Sequence, residues 1–221
     1  MIVCSTYGQS KISYEFSAGL GDLYWSKTIQ ETVTSYNPFT GTQSSPSLFL
    51  NTSYKDHSFN YQGQAKIAYQ FKKFSFGLSF THSRFTKSEF KSKPAQYGYM
   101  EYYEPDYRHF NLYGISASWV KFHNRKFEFL PVVDVGSHGF ESMKTTYYRN
   151  NYFLRAGIKA TNLSTGKVKT FIKPEVTFIH YKFSRISTLP DGSVDDAWTR
   201  FASVHVNNLL IINATIGIQI N

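Results

Sequence analysis

The feature that most constrains this chain is a two-residue alternation between bulky apolar and small polar side chains. It is clearest near the end. Leu210, Ile212, Ala214, Ile216, Ile218 and Ile220 form one class, and Asn213, Thr215, Gly217 and Gln219 form the other. Only Ile211 breaks the pattern. Successive side chains of a strand point to opposite faces, so this segment reads as a strand with one apolar face.

The same alternation recurs near residues 12–20, 59–71, 74–81, 113–119, 127–135, 152–159 and 172–178, which makes eight strands in all. The connections carry independent information. Those at Lys72-Lys73, 123–126 and 162–167 are short; those near 33–56, 86–107, 137–148 and 184–200 are long. Strict alternation of short and long puts tight hairpins at one end of the molecule and extended loops at the other. Two irregularities are expected. Leu23 and Trp25 leave the parity set by residues 12–20, which calls for a bulge after Gly21. Pro131 and Pro174 lack a ladder N–H, and each should mark a bulge or a broken pair.

Which class faces inward decides the type of barrel. A soluble barrel turns its apolar class inward and wets a face rich in Lys and Glu. Here the polar class is mostly Ser, Gly, Thr, Asn and Gln. Small polar side chains fit the cramped interior of an eight-stranded barrel. Bulky residues such as Phe76, Leu78, Ile115, Ile216 and Ile218 suit a convex face against lipid. The polar class also holds Glu15, Glu128, Asp134 and Glu175 against Lys66, Arg155, Lys159 and Lys173, four of each sign. That balance predicts a self-neutralising charge network that plugs the lumen, because an unpaired buried charge is costly.

Aromatic placement agrees. Tyr69, Phe71, Phe74, Trp119, Phe127 and Phe129 flank the short turns, and Phe59, Tyr61, Phe80, Tyr113 and Tyr152 lie nearer the long loops. Two such girdles are expected at membrane interfaces. No stretch approaches the roughly 18 apolar residues of a membrane helix, and an apolar content of 41% argues against disorder. The reading is an all-β, eight-stranded antiparallel up-and-down transmembrane β-barrel over residues 10–221. Residues 1–9 read as a signal-peptide remnant or a disordered N-terminus.

In this pattern, and in its closing strand at residues 210–221, the chain resembles the small eight-stranded outer-membrane barrels of Gram-negative bacteria, the OmpA/OmpX-like and PorT-like group. The resemblance implies a place in the cell outer membrane, contact with outer-membrane lipids and lipopolysaccharide, and a structural or surface-interaction role through long external loops. The chain departs from the group by ending Gly-Ile-Gln-Ile-Asn rather than on an aromatic residue. It is read as a monomer.

Site chemistry is sparse. The net charge of +9 suits anionic headgroups; the basic residues are dispersed and match no nucleic-acid motif. Seven histidines show no metal-ligand spacing and the one cysteine, Cys4, does not join them, so no metal, cofactor or catalytic residue is expected. His57-Ser58 and His82-Ser83 are neighbours in sequence, and neighbours on a strand point to opposite faces. The suggestive loop carries Tyr97, Tyr99, Tyr102, Tyr103 and Tyr107 among Glu101, Glu104 and Asp106, a composition suited to recognising protein or glycan. Three alternatives stand: a soluble lipocalin-like carrier, an outer-membrane lipid hydrolase or acyltransferase, and a narrow pore.

Overall fold

The alternating segments give each strand one apolar and one polar face, and the chain closes a single sheet on itself with the apolar faces outward and no backbone edge unpaired. The computed structural model describes residues 12–37, 39–43, 47–71, 73–85, 109–120, 122–123, 126–139, 147–162, 166–187 and 199–221. Eight long strands carry the fold: β1 (Ile12–Asn37), β2 (Ser47–Phe71), β3 (Phe74–Phe85), β4 (His109–Trp119), β5 (Phe127–Gly139), β6 (Tyr147–Asn162), β7 (Val168–Ser187) and β8 (Thr199–Ile220). Each pairs antiparallel with its neighbour in sequence, and β8 pairs with β1 from Tyr14↔Ile220 to Ser35↔Thr199. Closure leaves no free edge, so every strand has a ladder on both sides. The result is an eight-stranded up-and-down barrel.

The strands outrun the alternating segments at the long-connection end. The expected first loop, 33–56, is largely β-structure: β1 reaches Asn37 and β2 begins at Ser47. The pair Thr42–Gln43 folds back on Tyr36 and Asn37. Gly41 closes that turn at φ +66°, a conformation costly for residues with a Cβ. Residues 1–11, with the proposed leader remnant, and all of the second long connection lie outside the described residues.

The expected bulge after Gly21 is absent. Pairing with both neighbours runs unbroken from Tyr14 through Thr28, and the first register shift on β1 falls between Glu31 and Thr32. Leu23 and Trp25 therefore keep phase and point inward, 1% and 4% exposed. The prolines do mark breaks. Pairing of β4 with β5 stops at Ser118↔Val132, beside Pro131, and the separate two-residue segment Phe122–His123 pairs with β5 one residue out of step, at Phe122↔Phe129. Between β6 and β7 the ladder lapses from Gly157↔Glu175 to Ala160↔Ile172, around Pro174, without losing register.

Inward-facing glycines let bulky residues fill so narrow a barrel. A Cβ on Gly114 would lie 2.6 Å from Cζ of Phe153, which is fully buried inside. Gly136 faces the same ring.

Candidate functional site

Burial separates the two side-chain classes by face. Phe76, Leu78, Ile115, Ile216 and Ile218 are all exposed, whereas Ser116 and Thr215 are fully buried. On β8 every even-numbered residue from Leu210 to Ile220 points out, eleven positions along the strand. A span of about 9–11 residues is what a tilted strand needs to cross hydrocarbon. Phe71, Phe74, Phe122 and Trp119 ring the short-turn end of this apolar band, and Phe59, Tyr61, Phe80, Tyr113 and Tyr152 ring the other. An outside richer in bulky apolar side chains than the inside is the reverse of a water-soluble carrier.

The interior has two layers. The one nearer the short turns is charged. Arg155, 2% exposed, donates to Asp134 Oδ2 at 3.2 Å, to Thr177 Oγ1 at 3.1 Å and to Thr81 Oγ1 at 2.9 Å. Its Nε also stands 3.8 Å from Glu175 Oε2. Glu175 takes Lys173 Nζ at 2.8 Å, Gln62 Nε2 at 2.5 Å and a bond from Gln64. Lys159 Nζ donates to Glu15 at 2.6 Å and to Gln219 at 3.1 Å. Seven strands contribute to this web. Lys159 to Glu15 and Gln62 to Glu175 reach across the lumen, whereas Arg155 and Asp134 are ladder partners and Lys173 and Glu175 share one strand.

Aromatic rings cover the web on both sides. The Arg155 guanidinium carbon lies 5.7 Å from the Phe153 centroid, and Lys159 Nζ lies 5.3 Å from that of Phe171. Toward the long connections the interior turns apolar, with Leu23, Trp25, Phe85, Phe110, Leu112, Phe153, Ile179, Tyr181, Leu209 and Ile211 in one buried cluster. Trp25 satisfies its indole N–H on Asn207 Oδ1 at 3.0 Å, as a buried indole should.

Two of the eight expected network residues stand apart. Glu128 belongs to the inner class but lies half-exposed at the short-turn end and makes none of these contacts. Lys66 points inward beside the network, yet its Nζ has no hydrogen-bond partner among the described residues, and neither does Asp134 Oδ1. A void of about 10 Å³ lies against both groups, room for about one water molecule. The sequence reading missed Gln62, Gln64, Thr81 and Thr177, and the rings of Phe153 and Phe171. The available signal was parity, since all share the inner class of their strands.

His57 and His82 are exposed on the outer wall while Ser58 and Ser83 are buried within, so neither adjacent pair meets. His57 instead stands 3.2 Å from Asp22 on the outside. Among the described residues no cluster of three His, Cys, Asp or Glu could hold a metal ion. Tyr97, Tyr99, Tyr102, Tyr103 and Tyr107 lie outside the described residues.

No protein-family model matches the sequence, and no curated protein matches it either. Solved barrel proteins show only remote likeness to it. The chain is similar to Neisserial surface protein A at 11% identity, with 90% of this chain and 96% of that one covered and a TM-score of 0.40. It is similar to the outer membrane protease OmpT of Escherichia coli at 10% identity, covering 94% and 96%, with a TM-score of 0.36. A FadL homologue of Pseudomonas aeruginosa gives 7% identity, 93% and 90% coverage and a TM-score of 0.24. Likenesses of this size assign neither a family nor an activity.

Proposed function

We propose that the chain is a small outer-membrane barrel of the OmpA/OmpX-like or PorT-like kind, non-conducting and non-enzymatic, that serves as a scaffold for its long external connections. One observation carries the reading: bulky apolar side chains face outward over a band long enough to span hydrocarbon, while charges of both signs are buried in the middle. In lipid every backbone polar group must be paired within the protein, and a sheet closed between β1 and β8 meets that demand.

The plug is part of the reading. Three carboxylates, Glu15, Asp134 and Glu175, face four cations, Lys66, Arg155, Lys159 and Lys173, in the lower layer, and the apolar cluster stacks above it. Water would have to pass both. The interaction surface would be the second long connection, where five tyrosines alternate with acidic residues in a composition suited to protein or glycan partners.

The test uses purified full-length chain folded into lipid vesicles. The reading expects faster gel migration of the unheated sample than of the boiled one, and no stepwise conductance across a planar bilayer. A chain that stays in the aqueous phase without detergent would refute the membrane assignment, and steady ion-selective steps would refute the plug.

A further inference from the structure

The apolar band is not uniform. Where β1, β2 and β3 meet, the outward positions carry Ala18, Gly63 and Ala65 instead of large side chains. Ala18 and Gly63 are directly paired, and Gly63 is paired in turn with His82. Phe16, Phe80 and Ile216 rise around them, leaving a furrow of about 640 Å³ open to the membrane. A Cβ placed on Gly63 would meet nothing within 4 Å, so the gap is real space and not close packing.

The mouth of this furrow is cationic. His82 lines it, and Arg84 follows on the same outward face of β3. Arg84 is exposed, and among the described residues no hydrogen bond or ion pair engages it. It pairs across the ladder with His109, whose ring lies 5.9 Å from that of His82. His82 is held from one side: its Nδ1–H donates to Asn111 Oδ1 at 2.8 Å, so Nε2 can donate to an anion only when the ring is protonated on both nitrogens. The described outward positions of β2, β3 and β4 carry no carboxylate, and the outward Asp22 of β1 is engaged 3.2 Å from His57. The nearest aromatic girdle, Phe80 against Tyr113 at 5.3 Å, lies just below this level.

We propose that this furrow and its cationic mouth form a seat for one phosphorylated lipid of the outer leaflet. An acyl chain lies over Gly63 and Ala65 between Phe16 and Phe80, and the phosphate meets the Arg84 guanidinium beside the His82 ring. An apolar trough in line with a cationic patch matches a lipid whose head is anionic. The patch is more specific than the dispersed charge of the chain, because Arg guanidinium presents a fork that suits phosphate oxygens. The inference rests on the membrane reading above.

Full-length protein in mild detergent is titrated with diphosphoryl lipid A and followed by native mass spectrometry. The arms are wild type, Gly63→Leu, Arg84→Gln, and Ala156→Leu on the opposite wall as control. Wild type and the control should take one lipid saturably. Gly63→Leu fills the trough and Arg84→Gln removes the fork, and each should weaken binding about tenfold or more, equivalent to at least ~1.4 kcal/mol. Dephosphorylated lipid A should bind wild type as weakly as the phosphorylated form binds Arg84→Gln. Unchanged affinity in either variant overturns the proposal. So does inorganic phosphate competing as well as the lipid, which would mark a free-phosphate site. A dimer that Gly63→Leu disperses would instead make the furrow a contact between copies. Heat-shifted gel migration of every sample separates the two failures: an absent shift in wild type sinks the membrane reading, whereas a normal shift without lipid binding sinks only the seat.

Discussion

Replacing Arg155 with methionine isolates the charged layer of the lumen. Arg155 is 2% exposed and carries the only hydrogen bond that Asp134 Oδ2 receives among the described residues. Asp134 Oδ1 has no hydrogen-bond partner among the described residues, so the variant leaves this buried carboxylate without a hydrogen bond and with only Lys66 across the small void. Glu175 suffers less, because Lys173 stays 2.8 Å away and Gln62 still donates to it. Breaking a buried ion pair by removing one partner costs about 3–5 kcal/mol. With one of two carboxylates still well held, the expected loss is near the lower limit, ~3 kcal/mol, or roughly a hundredfold in the folding equilibrium. Methionine keeps most of the volume, so little of that comes from a cavity. Urea unfolding in lipid vesicles, followed through the fluorescence of buried Trp25, gives the number. The double variant Arg155→Met with Asp134→Leu removes both charges and should recover most of the loss. A loss under about 1 kcal/mol for the single variant, typical of a solvated pair, would refute the argument and show a wet lumen.

Four other substitutions probe the remaining layers. Ile115→Arg puts a charge in the middle of the outward band and should cost about 2–4 kcal/mol in bilayer unfolding, whereas a soluble barrel would tolerate it. Gly114→Ala should cost about 1–3 kcal/mol by overpacking, since the new methyl collides with Phe153; Gly63→Ala, facing open space, should change stability by less than about 0.5 kcal/mol. Trp25→Ala should cost about 3–5 kcal/mol and leave the Asn207 carbonyl unpaired, which thermal unfolding in detergent would show.

The parity of side chains made the strands and their two faces legible where the interior is polar. Residues 12–20 and 212–220 alternate because one face meets hydrocarbon and the other meets charge. The pattern failed one layer higher. There the interior is apolar too: Leu209 and Ile211 stand inside beside outward Leu210 and Ile212 on β8, and on β1 Leu23 and Trp25 stand inside while Asp22 is outside, so period two disappears or inverts. Leu23, Trp25 and Ile211 looked like a slip of phase for that reason, although they hold register and form the cap. Parity also gives direction without depth. It put Glu128 on the inner face, but Glu128 sits at the open short-turn end, too far down to join Arg155 and Lys159. The lipid seat was hidden for a third reason. Ala18, Gly63 and Ala65 are unremarkable in sequence, and only the register of β1, β2 and β3 brings them side by side under His82.

Site-directed nitroxide labels at positions 76, 115, 216 and 116 in reconstituted vesicles address the orientation of the wall most directly. Labels at Phe76, Ile115 and Ile216 should collide freely with dissolved oxygen and hardly at all with a water-soluble nickel chelate, while a label at Ser116 should be shielded from both. Ready collision of the first three with the chelate would place them in water and contradict the account.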